Sequence, residues 1–245
     1  MNDNKPLSGR VTLVSGASRG IGYAAALALA KAGSHIIAVA RTQGGLEDLD
    51  DAIKAVGGEA TLVPMDLMQP DGLDHLAVAI AERWQRLDGV FANAGVLGEM
   101  TLAQQVTPKV FDQVFAVNMT ANYRLIRALD PLMRASPSGR ALFVTSGVAQ
   151  SRRAYWSAYA ASKSALEAYV SCYAKEVEIT DMRVNLLNPG AVRTHMRGKA
   201  VPGEDPSTLP APSDVAPLVV DMLSPDYNKN DQIISFRESA YYSGH

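Results

Sequence analysis

Six short runs of this 245-residue chain are apolar almost without a break: RVTLVSG (10–16), HIIAVA (35–40), ATLVPMD (60–66), LDGVFANAG (87–95), RALFVTSG (140–147) and MRVNLLNPG (182–190). Side chains on a strand point alternately to its two faces, so a strand wetted on one side alternates apolar and polar residues. Continuous Val, Ile and Leu instead marks strands covered on both faces. Helix-like segments lie between the runs: GIGYAAALALAKAG (20–33), GLEDLDDAIKAVG (45–57), DGLDHLAVAIAERW (71–84), a longer stretch over 107–135 with Pro131 near its end, and Ser157 to Glu178. The alternation predicts an α/β fold, a parallel sheet with helices on both faces. Right-handed crossovers make such a sheet doubly wound. The length suits one domain over 1–245.

Composition removes several function classes. The formal net charge is −2, which gives no basic surplus to attract nucleic acid or an anionic membrane. A stacking platform for single strands is missing as well. The lone cysteine, Cys172, forms no disulfide framework and is read as a small buried residue inside a helix. The N-terminal MNDNKPLSGR has no apolar h-region, and the most apolar run, Tyr23 to Ala30, is too short to span a bilayer. A cytoplasmic protein without a membrane partner is expected. No His/Cys/Asp cluster has metal-ligand spacing, so no metal is expected.

SGASRGIG (15–22) follows the first strand and opens the first helix. Gly16, Gly20 and Gly22 lack Cβ, so the backbone can turn tightly and approach a pyrophosphate, while the helix start offers N–H groups and positive potential. Nicotinamide dinucleotides that lack a 2′-phosphate are commonly held by an acid about 20 residues further on. The second strand instead runs into Ala40 and Arg41, and Arg19 lies within the turn. Two guanidiniums there would pair with a 2′-phosphate, so NADP(H) is expected over NAD(H). Asp66, ending the third strand, would meet the adenine amino group or cap a helix.

Read in order, SGASRGIG (15–22), MDL (65–67), ANAG (92–95), VNM (117–119), VTSG (144–147), YAASK (159–163) and NPGAVRT (188–194) resemble the short-chain dehydrogenase/reductase family, and the likeness runs over nearly the whole chain. The resemblance implies a single Rossmann domain with a sheet of about seven strands in the order 3-2-1-4-5-6-7. It implies NAD(P)-dependent interconversion of a carbonyl and an alcohol. Tyr159 would be the acid/base, Lys163 its tuner, Ser146 the holder of the substrate oxygen, and Asn118 a support for a water-linked proton relay. Gly16, Ser18, Arg19, Gly20, Ile21 and Gly22 would surround the phosphates, with Arg41 on the 2′-phosphate. Asp66 and Leu67 would flank the adenine, and Asn93, Ala94 and Gly95 the ribose. Pro189, Gly190, Val192 and Thr194 would border the nicotinamide. Three departures stand out: Ser15 where Thr is usual, Ala92 where Asn is usual before NAG, and a tail, QIISFRESAYYSGH, without the V-D-G-G ending of ketoacyl-reductase-like members. The last puts the substrate wall and the usual tetramer contact in question.

The chemistry can also be argued from the residues. Positions 159 and 163 are i and i+4 on one helix face. Moving a tyrosine from its ordinary pKa near 10 to about 7 takes roughly 4 kcal/mol. A lysine ammonium ~6 Å away in an effective dielectric of ~20 supplies about 3 kcal/mol. The bound, oxidised nicotinamide would add to it. Tyr155 and Trp156 are candidates for the substrate pocket, with Arg152 and Arg153 read as exposed. The region 191–214, including His195 and the Pro-rich VPGEDPSTLPAPSD, is read as a substrate loop. The apolar faces of the helices near 107–135 and 157–178 suggest a homodimer or homotetramer acting on a small carbonyl or alcohol. The competing reading is a nucleotide-sensing or regulatory protein that kept the fold without turnover.

Overall fold

The computed structural model describes residues 5–244. In chain order it contains β1 (Val11–Ser15), α1 (Gly20–Lys31), β2 (His35–Ala40), α2 (Gln43–Ala55), β3 (Ala60–Pro64), α3 (Gly72–Trp84), β4 (Gly89–Ala92), α4 (Pro108–Phe115), α5 (Ala121–Arg134), β5 (Arg140–Val144), α6 (Val148–Ser151), α7 (Ser157–Glu176), β6 (Arg183–Asn188), α8 (His195–Ala200), α9 (Pro212–Met222) and β7 (Ile233–Ser235). The strands form one parallel sheet in the order β3-β2-β1-β4-β5-β6-β7. All six apolar runs contain strands, and the seventh strand, implied by the resemblance, pairs Ile233 with Leu186.

Every residue of β1, β4 and β5 is buried, which is why their sequences do not alternate. Successive side chains feed two cores. Leu13, Ile37, Phe143 and Leu186 pack with Leu76 of α3, Leu125 of α5 and Val170 of α7. Val14, Ile36, Leu142 and Leu187 pack with Leu29 of α1, Leu49 of α2 and Val219 of α9. Truncating one of these leucines to alanine typically costs about 2–5 kcal/mol. Strand order reverses between β1 and β4, whose last residues, Ser15 and Ala92, pair side by side. Ligands bind such sheets in the crevice beyond these carboxyl ends.

The structure corrects the sequence reading at several points. The helical region expected over 107–135 is found, running from Pro108 to Arg134, but not as one regular α-helix. A π-helical turn, Ala116–Thr120, joins α4 to α5, and Pro131 lies inside α5. Helix α7 stops at Glu176. Cys172 is exposed rather than buried. The face that α7 buries carries Leu166, Val170, Tyr173 and Ala174, and position 172 projects away from it. His195 opens α8 instead of lying in irregular loop, and the Pro-rich segment contains a 3₁₀ turn, Pro206–Thr208. Among the described residues, no helix is long and apolar enough to cross a membrane.

Candidate active site

Beyond β1 the chain turns through Gly16, at φ +68°, and enters α1 at Gly20, at φ +59°. The turn is packed against the end of β4. A Cβ on Gly16 would lie 2.9 Å from Asn93 Nδ2 and 3.0 Å from Ala94 Cα, and one on Gly22 would lie 2.2 Å from the Gly16 carbonyl oxygen. Asn93 Nδ2 donates to the carbonyls of Ser15 (3.1 Å) and Gly16 (3.3 Å). In return Ser15 Oγ accepts the N–H groups of Asn93 (3.0 Å) and Ala94 (3.1 Å). A serine hydroxyl suffices for that double acceptance, so the Thr-to-Ser departure leaves the contact intact. Arg19 and Arg41 stand exposed at this end, their guanidiniums with no hydrogen bond or ion pair to the described residues. Asp66 accepts the Met68 N–H through Oδ1 at 3.0 Å, which fixes the turn after β3.

A cleft of about 1200 Å³ runs from this turn to α7. Gly16, Ser18, Arg19, Gly20, Ile21 and Arg41 line one end, with Asp66, Leu67, Asn93, Ala94 and Gly95 beside them. Pro189, Gly190, Val192 and Thr194 form another wall, and Ser146, Trp156, Tyr159 and Lys163 the far end. Of the expected nucleotide residues only Gly22 is not in the lining; it lies under the turn, where no side chain fits. The donor set suits a phosphorylated dinucleotide: a side-chain-free cradle, a helix N-terminus and two unpartnered guanidiniums. Among the described residues no group of three His, Cys, Asp or Glu is placed to hold a metal ion.

At the far end, α7 turns Tyr159 and Lys163 inward, 9% and 3% exposed. Ser146, just past β5, lines the cleft beside the Tyr159 phenol. Burial pushes that phenol up to about 12, and the neighbouring Ser146 hydroxyl pulls it partly back. Lys163 Nζ donates to the Val144 carbonyl at 2.8 Å and lies 5.9 Å from the centre of the Tyr159 ring. Burial pulls the lysine down to about 8, opposed by the charge of Glu167 one turn later, so the ammonium still predominates at neutral pH. Glu167 also accepts from Thr145 Oγ1 at 2.5 Å and from Gln150 Nε2 at 2.9 and 2.8 Å, which ties the end of β5 to α7.

Asn118 is not in the cleft wall and is not a helix cap. It lies in the π-helical turn, fully buried. Its Oδ1 accepts the Val96 N–H at 2.8 Å, and its Nδ2 donates to Val96 O at 2.9 Å and Ser162 Oγ at 3.0 Å. Its carbonyl accepts from Asn122 Nδ2 at 2.8 Å. The side chain therefore clamps the loop after β4 to the helix that carries Tyr159.

The two substrate candidates part company. Trp156 lines the cleft, its ring 6.0 Å from that of Tyr159. Tyr155 lies outside it, 56% exposed, because a left-handed backbone at φ +72° turns its side chain to solvent. The sequence reading missed other residues that shape the site. Asn188 Oδ1 holds the N–H groups of Gly147 and Gly190, both at 3.1 Å. Arg197 grips Glu204 with two bonds, at 2.5 and 2.6 Å, within the segment 191–214. Leu97, Val148 and Met196 pack around Tyr159. Asn188 sits within a motif the sequence did flag; the loop pair carries no signal short of the folded loop.

Comparison with known proteins places the chain among short chain dehydrogenases. Residues 10–205 match the family model described as short chain dehydrogenase. The chain is 38% identical over 223 residues to the oxidoreductase YciK of Escherichia coli K12, covering 90% of this chain and 88% of that protein. It is 32% identical to a fatty acyl-CoA reductase of Acinetobacter baylyi, over 87% of this chain and 72% of the relative. A short chain dehydrogenase from Shigella flexneri, solved in complex with NADP, superposes with a TM-score of 0.92 at 35% identity, over 96% of this chain and 100% of that one. A similar protein from Escherichia coli CFT073, solved with NADPH, gives a TM-score of 0.90 at 35% identity, over 96% and 99% of the two chains.

Proposed function

The chain belongs to the short-chain dehydrogenase family of oxidoreductases, and from that premise we propose that it interconverts a small carbonyl compound and its alcohol with NADP(H). One observation carries the proposal. Ser146, Tyr159 and Lys163 meet at one end of a cleft whose other end is a glycine turn flanked by two unpartnered arginines. The reduced dinucleotide, when bound, supplies a hydride to the carbonyl carbon. The protein's own groups handle the oxygen: Ser146 holds it, and Tyr159 gives it a proton as negative charge develops.

The energetics assign a share to each partner. Bringing Tyr159 from about 12 to about 7 requires roughly 7 kcal/mol. With its ammonium 5.9 Å from the centre of the Tyr159 ring, Lys163 supplies on the order of 3 kcal/mol in an effective dielectric of ~20. The remainder falls to the cationic oxidised ring and to the alkoxide, a strong base that accepts a proton without a fully acidic phenol. Tyr159 and Lys163 therefore work as a site only with the dinucleotide in place. For Asn118 the bonding favours a positioning role, since side chain and carbonyl are both engaged within the protein.

Arg19 and Arg41 favour the 2′-phosphorylated cofactor, and the complexes of similar proteins with NADP and NADPH support that choice. Leu97, Val148, Trp156, Met196 and Ala200 give the substrate end an apolar wall, covered by residues 191–214. Phe111, stacked on Phe115, and Tyr123, edge-on to Tyr169, leave aromatic surface exposed on α4 and α5. Pairing of these helices with a second copy supports a homodimer or homotetramer, in the cytoplasm.

The test is NADPH and NADH oxidation against a panel of aldehydes and ketones. Turnover with NADPH at least tenfold better than with NADH is expected. NADPH binding without oxidation across the panel would favour a nucleotide sensor instead.

A further inference from the structure

After β7 the tail makes a 3₁₀ turn, Phe236–Glu238, that is firmly anchored on either side of Arg237. Phe236 is 1% exposed and meets Tyr242 edge-on at 5.5 Å. Ser239 Oγ donates to the Phe236 carbonyl at 2.7 Å. The backbone at 237 is thus fixed, and its side chain enters the cleft. There it lies along Gly190: a Cβ on that glycine would be 3.4 Å from Arg237 Nε, 3.5 Å from Cγ and 3.6 Å from Cδ. Gly190 has φ +68°, and its N–H is held by Asn188. Four residues on, Thr194 Cγ2 sits 3.6 Å from the Cβ position of Gly20, so the Gly190–Thr194 segment borders the N-terminus of α1.

Arg237 has no hydrogen bond or ion pair to the described residues. The carboxylate it influences, Glu204, is already held twice by Arg197. An unpartnered guanidinium and a helix N-terminus thus line the same stretch of cleft, and both favour an anion. Arg19, which precedes Gly20 in the glycine turn, and Arg41, just past β2, are already assigned to the 2′-phosphate, whereas Arg237 enters the cleft from a separate element, against Gly190.

We propose that Arg237 is a cofactor-binding residue, its guanidinium reaching from the C-terminal tail across Gly190 to the pyrophosphate of the dinucleotide. The inference rests on reading the cleft as an NADP(H) site. It gives the atypical tail a role: the tail closes the cofactor cleft. It also gives Gly190 a second reason to lack a side chain, since a Cβ would press on the arginine.

The experiment measures binding by calorimetry, for wild type, Arg237→Gln, Arg237→Lys and Arg41→Gln, with two probes. NADPH carries both the 2′-phosphate and the pyrophosphate; adenosine 2′-monophosphate carries only the former. Arg237→Gln should weaken NADPH about tenfold and leave adenosine 2′-monophosphate unchanged, which also shows that the variant is folded. Arg237→Lys should lose less, and Arg41→Gln should weaken both probes. Wild-type affinity for NADPH in Arg237→Gln, as expected if the arginine serves an anionic substrate, overturns the assignment and leaves the NADP(H) reading standing. So does equal weakening of both probes. Failure of the wild type to bind NADPH removes both.

Discussion

Lys163→Met should make the protein more stable at neutral pH and less able to turn over. The lysine is 3% exposed, and burial pulls its pKa from 10.5 to about 8. That displacement corresponds to about 3 kcal/mol of unfavourable free energy for keeping the ammonium inside. Methionine removes it, at the cost of about 1–2 kcal/mol for leaving the Val144 carbonyl without its donor. The variant should therefore gain roughly 1–2 kcal/mol, or a few degrees in Tm for a chain of this length. The sign follows from the depressed folded-state pKa. Between about 8 and 10.5 the unfolded chain binds the extra proton, so wild-type stability rises with pH through that window and is lost as pH falls through it. Above it the wild type keeps its hydrogen bond without the charge and should become the more stable of the two. Urea unfolding of both proteins without cofactor, followed by circular dichroism across the window, reads the difference, and contributions common to both proteins cancel. A Lys163→Met protein that is less stable at neutral pH, by an amount that does not change with pH, would refute the reasoning and make the ammonium a structural element.

Gly22→Ala drives a Cβ to 2.2 Å from the Gly16 carbonyl and should weaken NADPH binding at least tenfold, measured by nucleotide fluorescence, along with a loss of Tm. Asn118→Leu strands the Val96 amide and carbonyl and should cost about 3 kcal/mol in urea unfolding, with kcat falling more than KM rises because the loop after β4 loses its tie to α7. Ser15→Ala should cost about 1–2 kcal/mol by removing the acceptor shared by Asn93 and Ala94, and Ser15→Thr, which keeps the hydroxyl, should restore it.

How much of this was legible in the sequence depended on the range of the interaction concerned. The apolar runs gave away the strands because burial on both faces leaves a local mark, as in VTLVS of β1. Ser146, Tyr159 and Lys163 were visible because a strand end and an i,i+4 pair are short-range facts, and motif order linked them. Cys172 was misread because α7, with Ala at many positions, has little contrast between its faces. Tyr155 and Trp156 are neighbours whose fates differ through one left-handed residue that no composition announces. Asn118 was flagged, but its bonds to Val96 and Ser162 span 22 and 44 residues and depend on a π-helical turn. Arg237 reaches Gly190 only after β7 has paired with β6, which brings together residues 47 positions apart.

The acid/base assignment is tested most directly by Tyr159→Phe at saturating NADPH, with a carbonyl that the wild type reduces. The substitution removes one oxygen and keeps the ring beside Trp156. The predicted result is a fall in kcat of at least about 100-fold, the usual scale of positioned acid–base catalysis, with NADPH affinity unchanged. Turnover at the wild-type rate would contradict the account.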